Sequence, residues 1–592
     1  MKKIENIQSR KVMSAYGGVR SIIETAENGS LLIDFYEQWN CFKDRARKKR
    51  RRLEDSRLLK RLNGMDGYEH VASILEVPTP DLDEDKYEAK ENDLKETIMT
   101  SYFPSWFYCP NCRRLHQLSD WKTKWEEKFP DDGKFTENFP ACYHCSNKKG
   151  KKNYHRKSLE QVRFLLASAD SGQIVDVPFK EIWVAKEQKG KFWLMDGLDS
   201  TAQELFYRSS SSSDGLQSIY VQEGKNGRTI YLSEIASKYI VYGKGKDSRL
   251  FRLCLRNQNN IYYPEVINSL FIPFKDIEPK IKNAIISLKE KGNTIPDIYK
   301  IIQENDFASD DLKRLSENEI RDIIDRNLDY DAQEFAYIIN PSNYDTNTLL
   351  NFKDNDFKAK KFPNIKVPFV KCMYSILRLK MTSVLPNFSR ISTSNSRIQW
   401  LKYNEDTQTY KESEIYPKQV KTYSNGNGID FIPGVESFGE GVFFEMDVKN
   451  INEEERAVFV HTYSHMIMKE LEFQCGYPLS SMKEKLYSKN NEEEWGILIY
   501  TIGGAEGSYG GLVSLFPSDA TSDGKDSDGK VTRIVRIIKY AMERVKDCPN
   551  DPICSDEGGH CYACLDIPEI SCCKWNQELN RNVFIKNKEK WK

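Results

Sequence analysis

Polar and charged positions dominate the first hundred residues, where the basic run "RARKKRRRLEDSRLLKRL" (45–62) precedes the acidic stretch "TPDLDEDKYEAKENDLKE" (79–96). The basic run has few turn-formers and spreads Lys and Arg around most of a helical circumference, so it predicts a helix. Aromatics and cysteines then alternate in "SYFPSWFYCPNCRRLHQL", a composition that suits short strands and tight turns around a metal. From about 160 to 275 the apolar positions fall into strand-like runs such as "RFLLASADSGQIVDVPF" and "RTIYLSEI", interrupted by the serine-rich "RSSSSSDG". Between 276 and 385 the spacing lengthens to that of helices, as in "IKNAIISLKEKG" and "VPFVKCMYSILRLKMTSVL". A polar stretch, "YNEDTQTYKESEIYPKQVKTYSNGNG", marks a boundary or surface excursion. Beyond about 430 the pattern predicts a helix at "EEERAVFVHTYSHMIMKELEFQCG", a strand at "WGILIYTI", a glycine-rich loop and a helix at "KVTRIVRIIKYAMERV". No period of 20–50 residues recurs, which excludes a solenoid.

These patterns predict an α+β multidomain chain. An N-terminal region with the basic helix occupies 1–100, and a zinc-ribbon-like, β-rich domain 101–275. A mainly helical middle region follows at 276–430, and then a mixed α/β C-terminal domain at 431–592 that ends in a cysteine-rich zinc site. The length of 592 residues agrees, because a single hydrophobic core does not grow so large. Lys+Arg and Asp+Glu balance at 88 each, so no global field draws the chain to a polyanion and any such binding needs a local patch. Arg45, Arg47, Lys48, Lys49, Arg50, Arg51 and Arg52 are the candidate patch; the competing reading is a solvated helical face. The first residues lack the apolar core of a secretory signal, and no apolar run approaches the ~18 residues of a membrane span. A cytoplasmic location without membrane attachment is expected.

Ten of the 14 cysteines fall in two clusters. In a reducing compartment, paired CxxC knuckles point to metal rather than to disulfides. Cys109-x2-Cys112 and Cys142-x2-Cys145 have the spacing with which four thiolates close a tetrahedron around Zn2+. Four sulfurs leave no position open for water, so such an ion holds structure and catalyses nothing. His116 and His144 lie nearby as less favoured ligands. The second cluster supplies Cys548, Cys554, Cys561, Cys564, Cys572 and Cys573. Cys561-x2-Cys564 forms its centre, and Cys554 and Cys572 are favoured over Cys548 as the remaining ligands because they flank the knuckle most closely. Reduced buried thiols and an iron–sulfur cluster are the alternatives.

Other motifs fail on inspection. His461 and His465, four apart on a predicted helix, share a face, but Thr462 stands where HExxH has its glutamate and no third ligand is identifiable; structural histidines are the preferred reading. "GGAEGSYGGL" is no P-loop, since no Gly-Lys in the chain is followed by Ser or Thr. Ser508 sits in no GxSxG elbow because Glu506 takes the first glycine position. "HRK" at 155–157 opens like the HxK of a phospholipase-D-type nuclease, but Val162 occupies the place of the required aspartate.

Taken in order, "QSRKVMSAYGG", "FPSWFYCPNC", "RFLLASADSGQIVDVPF", "NQNNIYYPEVINSLFIPF", "GVESFGEGVFF", "HTYSHMIMKELEFQCGY", "ILIYTIGGAEGSYGGLVSL" and "DPICSDEGGHCYACLDIPEISC" make the chain resemble the DrmB family of subunits of the DISARM anti-phage defence system. The C-terminal part of that family is a zinc-binding domain named after the helicase MrfA (MZB). The resemblance implies a non-enzymatic partner of an SNF2-like helicase, DrmA, in a complex that engages DNA. It carries a ligand role to Cys561 and Cys564, and to Cys109, Cys112, Cys142, Cys145, Cys554 and Cys572. Where relatives often show a cysteine and a Gly-His pair, this chain has Ser168 and Gly172-Gln173, and the basic run is no feature of the family. Two other readings compete: a metal-dependent nuclease or hydrolase built on Glu436, Glu440, His461 and His465, and a stand-alone DNA sensor acting through the basic run.

Overall fold

The computed structural model describes residue 13 and residues 17–590, apart from 26–28, 44–46, 78–97, 131–134, 136–139, 150–152, 189–190, 195–203, 211–214, 243–248, 273–278, 326–328, 341–342, 344–355, 395, 405–408, 425–428, 490–492, 503–509, 519–522 and 526–528. Mixed helices and sheets form two compact units interleaved along the chain. The first comprises Met1–Arg52, Ala72–Ile267 and Val384–Val435; the second comprises Leu53–Val71, Asn268–Ser383 and Glu436–Lys592.

The first unit is built on antiparallel sheets. One six-stranded sheet runs in the order Glu160–Gln161, Trp106–Tyr108, Arg114–Gln117, Leu205–Ser209, Ile219–Glu223, Thr229–Tyr231. A second runs Ile174–Val175, Phe164–Ala167, Arg249–Leu255, Tyr239–Tyr242, Lys191–Leu194, Lys186–Gln188, with one parallel pair, Lys191–Leu194 beside Tyr239–Tyr242. Trp106, Leu115, Leu205 and Val221 from the first sheet share one core with Phe164, Leu166, Phe192 and Phe251 from the second. The strand-like runs read from the sequence therefore bury a face of each sheet in a shared core. Ser168 and Gly172-Gln173 form a polar turn there, in which the Ser171 hydroxyl donates to Ser168 Oγ at 2.9 Å.

In the second unit, the helices Pro279–Glu290, Ile295–Glu304 and Glu317–Asp325 pack on Ile285, Ile298, Ile302, Ile320 and Ile323. Thr294 and Asp297 close a capping box that starts the second of these helices. Further along, Phe431–Met446 pairs antiparallel with Glu494–Ile502 in the register Gly439↔Ile502 to Met446↔Trp495, and Met482–Lys489 pairs with the other edge of Glu494–Ile502. The helix Glu453–Cys475 lies over these strands. Its first turn carries Glu453, Glu454 and Glu455, which suit the helix dipole, and Gly476 ends it at φ 71°. Phe459, Tyr463 and Ile467 join Val442, Ile497, Ile499, Ile534, Ile538 and Phe584 in one core, which brings in the helices Arg533–Arg544 and Arg581–Asn587. Residues 459–468 are all buried, so the middle of the helix is enclosed on every side.

Two predicted elements differ. The run 367–385, read as helical, lies in the strand Val370–Ser389. Met373, Tyr374, Ile376, Leu379 and Met381 are all fully buried, and a strand covered on both faces shows a continuous apolar run that periodicity cannot separate from a helix. The basic run is not one helix either. Arg52–Leu53 is a short strand, and a fresh helix, Ser56–Asn63, begins where the Asp55 carboxylate accepts the Leu58 N–H at 2.9 Å. Among the described residues no helix is long and apolar enough to cross a membrane.

Arg57, drawn from the basic run, is buried and not solvated. Its guanidinium donates to Glu334 at 3.2 Å, to Gln333 Oε1 at 2.8 Å, and to the carbonyls of Leu270 and Tyr330 at 2.9 and 2.8 Å. Glu334 is fully buried and also accepts from Leu270 N at 3.0 Å, Lys485 Nζ at 2.6 Å and Tyr487 Oη at 2.9 Å. Every acceptor position of the carboxylate is in use, which compensates for its loss of water. Arg57→Ala is expected to cost about 3–5 kcal/mol by leaving this network short of its guanidinium. Chemical denaturation of the full chain checks this, and an unchanged midpoint would refute it.

Candidate metal centres and a basic cleft

The first cysteine set sits on the six-stranded sheet. Trp106–Tyr108 pairs with Arg114–Gln117 in the register Trp106↔Gln117, Phe107↔His116, Tyr108↔Leu115, and Cys109 and Cys112 occupy the turn between them. Arg113 closes that turn at φ 63°, with its N–H donating to Cys109 O at 2.8 Å. The second knuckle is held by Cys142 N donating to Lys157 O at 2.8 Å, and Cys145 N donates to Cys142 Sγ at 3.3 Å. Cys109 Sγ lies 3.8 Å from Cys145 Sγ, and Cys112 Sγ lies 3.7 Å from Cys142 Sγ. A disulfide needs about 2.05 Å. Bonds of about 2.3 Å to one tetrahedral ion instead put sulfurs about 3.8 Å apart. Trp121, Trp125, Phe135 and Leu159 pack around the set and restrict its access to water.

His116 is not among these ligands. Its ring packs edge-on to Trp121 at 4.9 Å, and burial, with Lys124 nearby, pushes it down to about 4, so it is neutral at physiological pH. His144 is exposed, with Nδ1 3.8 Å from Cys145 Sγ.

The second set gathers Cys548, Cys554, Cys561 and Cys564. The separations are again tetrahedral edges: 3.5 Å for Cys548–Cys561, 3.6 Å for Cys554–Cys564 and 3.8 Å for Cys561–Cys564. Asn550 steadies the sulfurs, its N–H donating to Cys548 Sγ at 3.5 Å and its side-chain amide to Cys561 Sγ at 3.3 Å. Gly559, at φ 75°, passes so close to Asn580 that a Cβ would meet Asn580 Oδ1 at 2.3 Å, so glycine is required there. Lys469 from the Glu453–Cys475 helix donates to Tyr562 O and Asp566 O at 2.6 and 3.0 Å and ties down the knuckle. Both four-cysteine sets are suited to hold a metal ion.

The favoured ligand set therefore changes by one member. Cys548 takes the place expected for Cys572, because the short helix Ile553–Asp556 folds the segment after Cys548 back onto the knuckle. Cys572 lies with His461, His465 and Glu484. Glu436 and Glu440 are occupied elsewhere. Glu436 pairs with Lys380 at 3.2 Å, and Glu440 accepts from Tyr477 Oη at 2.9 Å and from the N–H groups of Gly510 and Leu512 at 2.8 and 3.1 Å. The hydrolase constellation is not assembled. Glu506 and Ser508 lie outside the described residues.

Of the basic run, Arg45 lies outside the described residues. Arg47 pairs with Asp430 and stacks over Phe431, and Arg51 makes a two-point bond with Glu76 at 2.9 Å. Arg50 is half-buried, and Lys48, Lys49 and Arg52 are exposed. A second basic surface was not legible in the chain. An open cleft of about 360 Å³ in the first unit is lined by Arg113, Arg163 and Arg208 together with Tyr108, Phe164 and Tyr207. Tyr108 and Tyr207 face one another at 4.6 Å, and Tyr207 N donates to Arg113 O at 2.8 Å, so the Cys109–Cys112 turn sets one wall of the cleft. These arginines are scattered in sequence and meet only when the sheet forms.

Two comparisons with known proteins bear on this arrangement. A family model described as a domain of unknown function (DUF8724) matches residues 8–263. The DISARM protein DrmB of Bacillus paralicheniformis (strain ATCC 9945a / NCIMB 11709 / CD-2) is 25% identical over 387 residues, which are 56% of this chain and 64% of that protein. The match thus spans somewhat less than two thirds of the relative's length. It bears out the resemblance to DrmB: over the matched residues the chain is DrmB-like.

Proposed function

We propose that the chain is a non-catalytic, zinc-binding subunit of a cytoplasmic, DISARM-type anti-phage defence complex, and that it partners an SNF2-like DrmA helicase and helps it engage DNA. The similarity to the DISARM protein DrmB carries this reading. The chemistry of the chain agrees with it. Each four-cysteine set fills all positions of a tetrahedral ion with sulfur and leaves none for a reacting water. No Gly-Lys followed by Ser or Thr is present to cradle a nucleotide, so ATP turnover belongs to the partner. The C-terminal set, with its supporting helix, acts as an MZB-type module.

The cleft beside the first set supplies the DNA contact. Arginines that meet phosphates, next to aromatic rings on which bases stack, are how sequence-independent grooves hold a single strand. Lys48, Lys49 and Arg52 add charge on the same unit.

Three measurements test the reading. The chain should co-purify with a co-expressed DrmA-type helicase and hydrolyse no ATP alone; separate elution, or turnover by the isolated chain, would count against it. Cys109→Ser and Cys561→Ser should each lose an ion by elemental analysis and become insoluble, since binding of a structural zinc is worth about 10 kcal/mol and is coupled to folding. Folded native protein free of zinc would refute the assignment. Replacing Arg113, Arg163 and Arg208 by Ala should weaken single-stranded DNA binding by the complex at least about tenfold and flatten its salt dependence by roughly one unit for each phosphate no longer neutralised. Unchanged affinity would exclude the cleft.

A further inference from the structure

The Glu453–Cys475 helix sets His461 and His465 one turn apart, with ring centroids 4.5 Å apart and both side chains fully buried. Each ring is held from behind. His461 Nδ1 lies 3.2 Å from the carbonyl of Glu578, and His465 Nδ1 lies 3.0 Å from the carbonyl of Leu565. A carbonyl oxygen only accepts, so both Nδ1 atoms carry their proton, and in the neutral ring the Nε2 atom presents a lone pair. Both Nε2 atoms point at one carboxylate oxygen, Glu484 Oε1, at 3.0 and 3.2 Å. His461 Nε2 also lies 3.2 Å from Cys572 Sγ.

Two imidazole lone pairs, a carboxylate oxygen and a sulfur thus meet within 4.8 Å of one another, on side chains that are all buried. Without a cation these groups repel. Protons alone must either make both rings imidazolium, two like charges 4.5 Å apart in a dry interior, or turn the buried Glu484 carboxylate into a neutral acid. A single divalent ion satisfies all four: two neutral imidazoles, one carboxylate and one thiolate around M2+ leave no net charge.

The surroundings are those of a metal site. Ligating histidines characteristically give their other N–H to a carbonyl, and both do so here. Cys572 Sγ accepts N–H bonds from Lys574 at 3.3 Å and Asn576 at 3.2 Å, the same thiolate-stabilising pattern seen at Cys142 and Cys548. Trp575 and Asn576 turn back at φ 55° and 58° to make those bonds. Glu484 is oriented as well. Its other oxygen accepts from the Ser464 hydroxyl, its own N–H donates to Ser571 O at 3.0 Å, and Cys573 N–H donates to its Oε1 at 3.2 Å. Tetrahedral edges for nitrogen, oxygen and sulfur around zinc are about 3.3–3.6 Å, close to these separations.

We propose that His461, His465, Glu484 and Cys572 bind a third metal ion, a closed zinc site that ties the Glu453–Cys475 helix to the Met482–Lys489 strand and to the C-terminal segment. Nitrogen, sulfur and carboxylate ligands in a tetrahedron select zinc over magnesium or calcium, which require more oxygens. With four protein ligands and no exposure, the ion is structural. It adjoins the second four-cysteine set, since the carbonyl that holds His465 belongs to Leu565, next to Cys564.

The test is a metal count on the full chain, purified without chelator and equilibrated with excess zinc. Three ions per chain are expected, falling to two in His465→Ala and in Glu484→Gln. His465→Cys, which supplies another zinc ligand, should keep three. Cobalt exchanged into the chain should add a tetrahedral absorption band that His465→Ala diminishes and His465→Cys restores. A folded native chain whose count is the same as that of His465→Ala would overturn the site. If His465→Ala proves insoluble, Glu484→Gln takes its place: a folded native chain whose count equals that of Glu484→Gln overturns the site, and one that exceeds it by one supports it. The reading of the four-cysteine sets is judged separately, because their failure would lower every count without changing the difference of one between native and variant.

Discussion

A buried lone pair that faces another lone pair, with neither proton nor cation between them, is among the costlier arrangements a protein interior can hold. Among the described residues this condition arises three times, twice with four sulfurs and once with two imidazoles, a carboxylate and a sulfur. In each place the backbone has been shaped beforehand: N–H groups aim at sulfur, carbonyls hold the imidazole protons, and left-handed residues close the turns. Much of the surrounding architecture, from the Trp121–Trp125 cluster to the enclosed central helix, serves to hold those electron pairs at distances that suit one ion.

The second unit solves the related problem of a buried carboxylate in two different ways. Glu334 is satisfied wholly by protein donors, with Arg57, Lys485, Tyr487 and a backbone N–H around it. Glu484 has a hydroxyl, a backbone N–H and the Cys573 thiol at 3.5 Å, but its two imidazole neighbours, when neutral, offer no proton once their Nδ1 atoms are committed to carbonyls. The difference between the two carboxylates lies in the donors left to them. One network is complete as a salt bridge, and the other is completed by the cation proposed.

Closed coordination also connects structure to the function proposed. An ion surrounded by protein ligands does no chemistry, but it fixes the residues next to its ligands. Arg113 follows Cys112 directly and closes the Cys109–Cys112 turn, so the geometry that suits that turn to an ion also orients a residue of the basic cleft. The function proposed divides labour in the same way: the partner turns over nucleotide, and this chain supplies stable surfaces for the strand and for assembly.

How much of this could be read without coordinates depends on range. Cys109-x2-Cys112, Cys142-x2-Cys145 and Cys561-x2-Cys564 were legible because a two-residue spacing in a tight turn brings both thiols to one point whatever the rest of the chain does. The Glu453–Cys475 helix and the Glu494–Ile502 strand were legible for the same reason, since their periodicity is a local property. The exchange of Cys572 for Cys548, the arrival of Glu484 beside two histidines, and the meeting of Arg113, Arg163 and Arg208 were not legible. The Val370–Ser389 strand reads as a helix in isolation because burial on both faces erases its alternation, and Arg57 reads as solvated until Glu334 is placed beside it. By itself the amino-acid order determined local turns, element types and the presence of sulfur-rich knuckles. Only the tertiary structure decided which distant groups share an ion or a proton, because those distances are set by how helices and sheets pack.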